Sequence, residues 1–293
     1  MSLTDHNTAL TKPNRLTTAL RRISLSQTLI VGALIVFLIL TLIPIALMIF
    51  MSLKDNGQIY GRFWALPNPI RWQNYPAGFE AMIGYIMNSV IFSIASVILV
   101  SFLASLSGYV FARHRFPFKE PIYMAVIALL MIPGILTLIP QFVLVKQLGI
   151  INTPWALILP WTAGGQVFGI LLCRTFFATL PQELFESGKI DGANEIQLYW
   201  RIAVPLSWPI IVTVAIMHLV ATYNDFIWPL LTISSSSMQV VSVGLTEFTS
   251  QFGITDWGPQ MAAYTIATIP LIMLFMFGMR YYIQGITSGA IKA

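Results

Sequence analysis

The sequence has very few charged residues. Only 9% of its 293 residues are Asp, Glu, Lys or Arg, whereas 57% are hydrophobic and the mean hydropathy is +0.78. A soluble domain carries about 25% charged residues, so this composition cannot cover a water-facing surface of this size. The scarcity of charge therefore excludes a soluble globular protein and indicates an integral membrane protein.

Cysteine and histidine are also scarce. Cys173 is the only cysteine, which excludes an intrachain disulfide and a cysteine-rich metal site. His6, His114 and His218 are far apart in sequence and offer no metal-ligand spacing. Because no nucleophile–base pair or metal cluster recurs across the apolar segments, we expect no catalytic residue, no metal site and no enzymatic activity on this chain.

Long apolar runs are abundant. A bilayer core about 30 Å thick needs about 20 apolar residues of helix. The runs are continuous and lack the in–out alternation of barrel strands. They predict an all-α integral membrane protein with six transmembrane helices, over Leu29–Met51, Ile86–Ala112, Pro121–Val145, Trp155–Leu172, Trp208–Ile233 and Met261–Met279.

The basic residues predict the orientation of these helices. With the amino terminus inside, twelve Lys and Arg residues fall in inner segments and four in outer segments. Basic residues favour the cytoplasmic side, so both termini are predicted to be cytoplasmic. The predicted organisation is a cytoplasmic segment (1–28), a six-helix transmembrane domain (29–283) and a cytoplasmic tail (284–293). Since these charges flank apolar runs, they do not indicate a nucleic-acid partner.

The fifth predicted span carries a polar stripe. His218, Thr222 and Asp225 follow each other at spacings of four and three, which places them on one helical face. Such groups either line a transport path, together with the adjacent Asn224, or are satisfied by neighbouring helices. Both interpretations remain open from the sequence. The many serines of the second predicted span favour close helix packing instead.

The segment 173–207, between the fourth and fifth predicted spans, has the features of a cytoplasmic helical hairpin. Pro181 and Glu186 suit the first turn of a helix, and Gly192 can end that helix. The hairpin would carry apolar side chains that no bilayer covers. Residues 183–201 hold four acidic and two basic residues. Anionic lipid would repel that balance, so a protein partner is favoured.

A motif lies within this hairpin. Glu186-Ser187-Gly188 is followed after three residues by Gly192 and after nine more by Ile202-Ala203-Val204-Pro205. This spacing resembles the "EAA" loop of ABC-importer permeases, whose pattern is Glu-Ala-Ala, three residues, Gly, nine residues and Ile-x-Leu-Pro. Ser187, Gly188 and Val204 replace family residues with small or aliphatic ones. The segment from Tyr223 to Leu230 and the tail from Gln284 are similar to the maltose-type, carbohydrate-uptake branch.

The resemblance implies a permease subunit of an ATP-driven importer. It would move a sugar or oligosaccharide across a bacterial-type cytoplasmic membrane by alternating access. The implied partners are a second permease subunit that forms a heterodimer, two copies of a cytoplasmic ATPase, and an extracytoplasmic solute-binding protein. ATP and Mg²⁺ would bind to the ATPase and no cofactor to this chain. Its only Gly-Lys pair, Gly188-Lys189, lacks the P-loop pattern.

The resemblance also implies roles for individual residues. The ATPase-coupling residues would be Glu186, Ser187, Gly188, Asp191, Gly192, Ala193 and Pro205, with the tail Gly285–Ala293 as a second contact. By position, the contact with the binding protein would include Gly253, Thr255, Asp256 and Trp257. An ion-coupled secondary transporter is the alternative function. It would favour paired intramembrane carboxylates or an internal repeat, and only Asp225 approaches that role.

Overall fold

The computed structural model describes the backbone of residues 25–251 and 256–290, and the side chains of residues 27–246 and 256–281. Every regular element within these residues is helical, as predicted. The helices are α1 (Leu25–Ser52), α2 (Asn56–Gly61), α3 (Asn74–Arg113), α4 (Lys119–Ala128), α5 (Gly134–Gln147), α6 (Trp155–Phe177), α7 (Glu183–Ile190), α8 (Glu195–Leu198), α9 (Trp208–Tyr223), α10 (Ile227–Thr232), α11 (Val241–Gln251) and α12 (Trp257–Ala290). Short helical turns also cover Leu129–Met131, Tyr199–Ala203, Val204–Leu206 and Ser236–Met238.

Four of these helices, α1, α3, α6 and α12, are long and apolar enough to cross a membrane. Two further segments have that character only as bent pairs. Lys119–Met131 meets α5 at 102°, and Glu195–Leu206 meets α9 at 75°. The described residues therefore contain four candidate spans, or six if each bent pair is one span.

The third predicted span, Pro121–Val145, is not one continuous helix. Ile132 has an extended conformation, with φ −83° and ψ 115°. It precedes Pro133, whose ring disfavours the helical conformation in the residue before it. The chain bends at this point and α5 begins at Gly134. The predicted span therefore consists of two helices that meet at 102°.

The second predicted span is longer than expected, because α3 begins at Asn74 rather than at Ile86. Its first turns bury Asn74, Gly78 and Met82, which are spaced by four residues along one face. Because only this face is buried, the other faces of these turns need not be apolar, and the sequence has no uniform apolar run here although the helix is continuous. Hydropathy alone consequently placed the start of this helix too late.

The fifth predicted span breaks near its end, between α9 and α10. Pro229 has no N–H with which to bond the carbonyl four residues earlier, that of Asp225. The Ser242 hydroxyl donates a hydrogen bond of 2.6 Å to that carbonyl instead. Neighbouring side chains can satisfy backbone groups that a proline frees within a membrane. The predicted span over Trp208–Ile233 thus consists of two helices.

The chain divides into two units, residues 1–50 and 51–293. The described part of the first unit is α1 up to Phe50, and the second unit holds all the other helices. In that second unit α3 packs closely against α6. A Cβ atom added to Gly108 would lie 2.6 Å from the Cβ of Cys173, and one added to Gly169 would lie 2.7 Å from the Cβ of Ala104. The small residues of α3 allow this close approach, as expected.

Candidate functional site

Residues 180–206 form a helical hairpin, called the 180–206 hairpin below. Its first arm, α7, has Glu186 in its first turn and Lys189 in its last, which suits the helix dipole. Gly192 follows α7 with φ +82°, a conformation that glycine adopts at little cost. Asn194 and Gln197 then form a capping box that starts α8. The sequence therefore specifies both arms and the turn between them.

Gly188 brings the two arms of this hairpin together. A Cβ atom at this position would lie 2.7 Å from Cδ2 of Leu198 and 3.1 Å from Cδ1 of Ile202. Glycine lowers helix propensity, yet α7 runs through Gly188 without a break. Close packing against the second arm accounts for a glycine in the middle of this helix.

The predicted coupling residues lie mostly on the surface of the hairpin. Exposed members of the set are Glu186, Ser187, Asp191, Gly192 and Pro205, whereas Gly188 and Ala193 are half-buried. Two large apolar side chains also protrude, since Ile190 is 87% exposed and Ile196 is 71% exposed. Phe185 and Leu198 are buried and pack in one cluster with Tyr109 and Phe177. The hairpin is thus packed on one side and open on the other.

A cavity of about 750 Å³ lies between α5, α6, α9 and α10. His218, Thr222 and Asp225, the three residues of the predicted stripe, all border it. Asn224 does not, because it is exposed and donates from Nδ2 to the carbonyl of Val220. Asn224, the other residue predicted to line a transport path, therefore does not border this cavity.

Asp225 accepts a hydrogen bond from the indole of Trp161. The distance from Trp161 Nε1 to Asp225 Oδ2 is 2.7 Å. Its other oxygen, Oδ1, lies 3.5 Å from the backbone N of Trp228, in the first turn of α10. The ion pairs within the described residues do not include Asp225. Sequence reasoning missed Trp161, because it lies 64 residues away and nothing in its spacing marks it as a partner.

His218 has hydrogen-bond partners and borders the cavity as well. Its Nε2 lies 2.8 Å from Oγ of Ser96, which in turn lies 3.2 Å from Oγ1 of Thr162. Gly165 makes room for the ring, since a Cβ there would lie 2.6 Å from His218 Nδ1. The two interpretations of the stripe are thus compatible. No three His, Cys, Asp or Glu side chains of the described residues form a group that could hold a metal ion.

At the start of α12, Trp257 is hydrogen-bonded to the segment that contains α2, residues 53–73, which joins α1 to α3. Its backbone N donates to Oδ1 of Asn56 at 3.0 Å, and its indole Nε1 donates to the hydroxyl of Tyr60 at 2.6 Å. Asp256 is exposed beside it. Gly253 and Thr255, the other predicted contacts with a binding protein, lie outside the described residues.

Asp55 stabilises this segment. The N–H of Gln58 and the guanidinium of Arg71 hold the pKa of the Asp55 carboxyl below its usual range, with Arg71 2.8 Å away. Lys54, next to it, is buried, and its Nζ donates to the carbonyl of Phe63 at 2.5 Å. Burial lowers the pKa of Lys54. Asp55 thus connects the beginning of the segment to Arg71 near its end, and Lys54 connects it to Phe63 in the middle.

Acidification should loosen this segment. Because the folded-state pKa of Asp55 is depressed, its stabilisation is present above the unfolded pKa, near about 4, and is lost as the pH falls through the lower folded value. We expect the melting temperature in detergent to fall between about pH 7 and about pH 3. In Asp55→Asn the fall should be smaller, because the variant lacks this stabilisation at every pH. Asp256→Asn is the matched control, and a pH response of Asp55→Asn equal to that of the control would contradict the prediction.

The family of the chain follows from comparison with known proteins. A family profile described as "Binding-protein-dependent transport system inner membrane component" matches residues 104–288, which is more than half of the chain. The chain belongs to this family. The match includes the 180–206 hairpin and the cavity-lining residues of α5, α6 and α9. Members are permease components of ABC importers, and ATP hydrolysis belongs to a separate subunit.

Two relatives of this permease have named cargo. The "Trehalose/maltose transport system permease protein MalG" of Thermococcus litoralis is 31% identical over 270 residues, covering 90% of this chain and 96% of its own. The "Diacetylchitobiose uptake system permease protein NgcG" of Streptomyces coelicolor is 29% identical, covering 88% and 87%. The resemblance to ABC-importer permeases of the carbohydrate-uptake branch is thereby confirmed. Nothing in these relationships supports the ion-coupled alternative.

A solved structure has the same fold as the permease. A chain in the crystal structure of a bacterial ABC transporter involved in the import of the acidic polysaccharide alginate superposes with a TM-score of 0.79. The superposition covers 89% of this chain and 99% of that chain, at 18% sequence identity. At that identity the likeness concerns the fold alone.

Proposed function

We propose that this chain is the permease subunit of an importer that moves a sugar or oligosaccharide across a bacterial-type cytoplasmic membrane. The named cargo of its relatives, trehalose or maltose and diacetylchitobiose, supports a carbohydrate. The importer would also contain a second, different permease subunit, two copies of a cytoplasmic ATPase and an extracytoplasmic binding protein. ATP and Mg²⁺ would be held by the ATPase, and lipid would surround the membrane helices.

In the proposed topology each bent helix pair counts as one span, which makes six spans with both termini in the cytoplasm. The twelve basic residues of the inner segments, against four in the outer ones, support this orientation. The transmembrane domain would cover residues 29–283, between cytoplasmic segments 1–28 and 284–293. Segment 173–207, with the 180–206 hairpin, would lie in the cytoplasm.

The ATPase would dock on the open side of the 180–206 hairpin. The observation that carries this proposal is the exposure of Ile190 and Ile196, 87% and 71%, on a segment that the topology places in water. Burying apolar surface gains about 25 cal/mol per Å², so a partner that covers these side chains would be bound. The same hairpin carries the other proposed coupling residues, Glu186, Ser187, Asp191, Gly192, Ala193 and Pro205, and Gly188 keeps the two arms packed. The tail 285–293 would make a second contact.

The cavity would form part of the sugar path. Pockets that bind small ligands usually occupy about 300–1,000 Å³ and combine apolar walls with a few placed polar groups. The cavity fits this description, with Trp161 and Phe168 as aromatic walls and His218, Thr222 and Asp225 as polar groups. Among the described residues, no Lys or Arg side chain borders it. Hydroxyl groups of a sugar could therefore bond to Asp225 without competition from a cation of that part of the chain.

The binding protein would contact the extracytoplasmic face, on the other side of the membrane from the ATPase, at Gly253, Thr255, Asp256 and Trp257. The support is positional. Trp257 is hydrogen-bonded to α2 at the start of α12, and in the proposed topology this end of α12 lies far from the hairpin. Alternating access then requires that each partner bind one arrangement of the permease more tightly than the other. The ATPase would favour one arrangement when closed on ATP and the other when open.

Uptake in proteoliposomes tests the proposed function. We expect the chain to co-purify with a second permease and an ATPase. The complex should accumulate radiolabelled trehalose, maltose or diacetylchitobiose only when ATP and a binding protein are supplied. Uptake should persist when ionophores collapse the ion gradients. Uptake that follows an ion gradient without ATP would instead support the ion-coupled alternative.

A further inference from the structure

Arg113, the last residue of α3, is bonded to the chain that leads into α7. Its Nη2 donates to the carbonyl of Leu180 at 2.6 Å, and its Nη1 donates to Oε1 of Gln182 at 3.2 Å. The guanidinium also lies over the ring of Phe185, 4.2 Å from its centroid. Three contacts from one side chain thus hold the beginning of the 180–206 hairpin against the end of α3.

Tyr109, one turn before Arg113 in α3, and His114, directly after α3, contact both arms of the hairpin. The ring of Tyr109 packs against Phe185, and its hydroxyl lies 3.5 Å from Oε2 of Glu195. His114 Nε2 lies 3.5 Å from the same oxygen, and Lys189 Nζ lies 2.8 Å from Glu195 Oε1. The end of α3 therefore contacts both arms, and Lys189 connects one arm to the other.

α3 is suited to carry a displacement over a long distance. Its 40 residues span about 60 Å at 1.5 Å per residue. Each of the other long apolar helices has a proline in its interior: Pro44 in α1, Pro160 in α6 and Pro270 in α12. Pro76 of α3 stands in the first turn, where no hydrogen bond within the helix is lost. Interior prolines favour bends in helices, and α3 has no such proline after its first turn.

The far end of α3 is bonded as firmly as the hairpin end. Nδ2 of Asn74 donates to the carbonyls of Ser52 and Lys54, both at 2.8 Å. A Cβ on Gly78 would lie 2.8 Å from the backbone N of Ala263, which leaves α3 and α12 in close contact. A movement imposed at Arg113 would therefore reach the segment around α2 and the start of α12.

We propose that Arg113 is a positioning residue that fastens the 180–206 hairpin to α3, so that motion of the ATPase reaches the membrane helices through α3. This inference rests on the proposed docking of the ATPase. It gives Arg113 a role that no motif in the sequence marks, since Arg113 stands outside the EAA pattern.

A simpler role for Arg113 is to balance the dipole at the carboxyl end of α3, as any basic residue can. The two roles make different demands on the side chain. Dipole balance requires only a positive charge, so lysine would serve. The fastening requires two donors in a fixed plane and a flat cation over Phe185, which lysine does not supply.

The test compares Arg113→Ala and Arg113→Lys with Arg115→Ala, in the reconstituted complex. Arg115 is an exposed basic residue two positions away. We expect sugar transported per ATP hydrolysed to fall about tenfold in both Arg113 variants, the factor associated with losing one charge-assisted contact. The amount of co-purified ATPase and the value for Arg115→Ala should not change. Full recovery with Arg113→Lys, or an unchanged ratio in Arg113→Ala, would overturn the proposal.

A second measurement uses the chain alone and separates this proposal from the docking proposal. Backbone amides of residues 183–190 should exchange with deuterium about tenfold faster in Arg113→Ala than in Arg115→Ala, because the hairpin is released from α3. If no ATPase co-purifies but exchange accelerates, the docking proposal fails and the fastening by Arg113 stands. If the ATPase co-purifies but exchange is unchanged, only the fastening fails. Gln182→Ala, which removes one contact, replaces Arg113→Ala if that variant does not fold.

Discussion

Glu186→Ala should abolish uptake while leaving the permease folded and inserted. Glu186 is exposed on α7, and its side chain has no ion pair within the described residues. Within the fold its charge contributes only the interaction with the dipole of α7, whereas a docked ATPase would meet Glu186 beside Ile190. Removing one partner of a buried charged contact at an interface costs about 2–5 kcal/mol, or at least about 30-fold in affinity. Co-purification of the ATPase and ATP-dependent uptake measure the loss.

Glu183→Ala is the matched control for Glu186→Ala. Both carboxylates lie in the first turn of α7, so both deletions remove a favourable interaction with the helix dipole, worth about 0.3–1 kcal/mol. The EAA pattern includes only Glu186. We expect Glu183→Ala to keep most of the ATPase association. Equal losses in the two variants would show that helix stability, rather than a specific contact, explains the effect.

Asp225→Asn should weaken sugar transport without disturbing the cavity. Asparagine keeps an oxygen that can accept the hydrogen bond from Trp161 Nε1, so the 2.7 Å contact between α6 and the α9–α10 break is retained. It removes the negative charge that would bind sugar hydroxyls. A hydrogen bond to a charged group contributes about 1.5–3 kcal/mol, so the KM for uptake should rise about tenfold or more. Uptake measured against sugar concentration reports this change.

Two further variants show whether a change of uptake in Asp225→Asn comes from sugar binding or from the fold. Trp161→Phe removes the donor and keeps the carboxylate, so it should affect the fold near the break more than the affinity for sugar. Asn224→Ala alters the adjacent residue, which does not border the cavity. We expect its uptake to match the unaltered protein. If Asp225→Asn also matches it, Asp225 only supports the break, and the lining role of Asp225 should be dropped.

The existence and type of most helices could be predicted from the sequence, but the angles at their breaks and the residues at which they start could not. Apolar runs of about 20 residues identify membrane helices because the bilayer demands that length. The same runs conceal the bend at Pro133, since a broken pair is as apolar as a straight helix. They also conceal the amphipathic start of α3 at Asn74, where only one face is buried.

The hairpin was more predictable than the cavity for a physical reason. A helix start, a glycine turn and a capping box are local signals, and Pro181, Gly192 and Asn194 carry them in sequence order. The pairing of Trp161 with Asp225 joins different helices, and the hydroxyl of Ser242 reaches a carbonyl that only the break exposes. Contacts of this kind depend on how helices meet, so spacing along the chain does not reveal them. Asn224 illustrates the converse, because the adjacent Asp225 borders the cavity and Asn224 does not.

The close contact between Gly108 and Cys173 would allow a separation of α3 from α6 to be detected by labelling the Cys173 thiol. The chain has a single thiol, and this thiol is 1% exposed at the seam where α3 meets α6. A maleimide cannot reach it while the seam is closed. The rate of alkylation at Cys173 would therefore report how readily these two helices separate, with no engineered label and no other thiol in the chain.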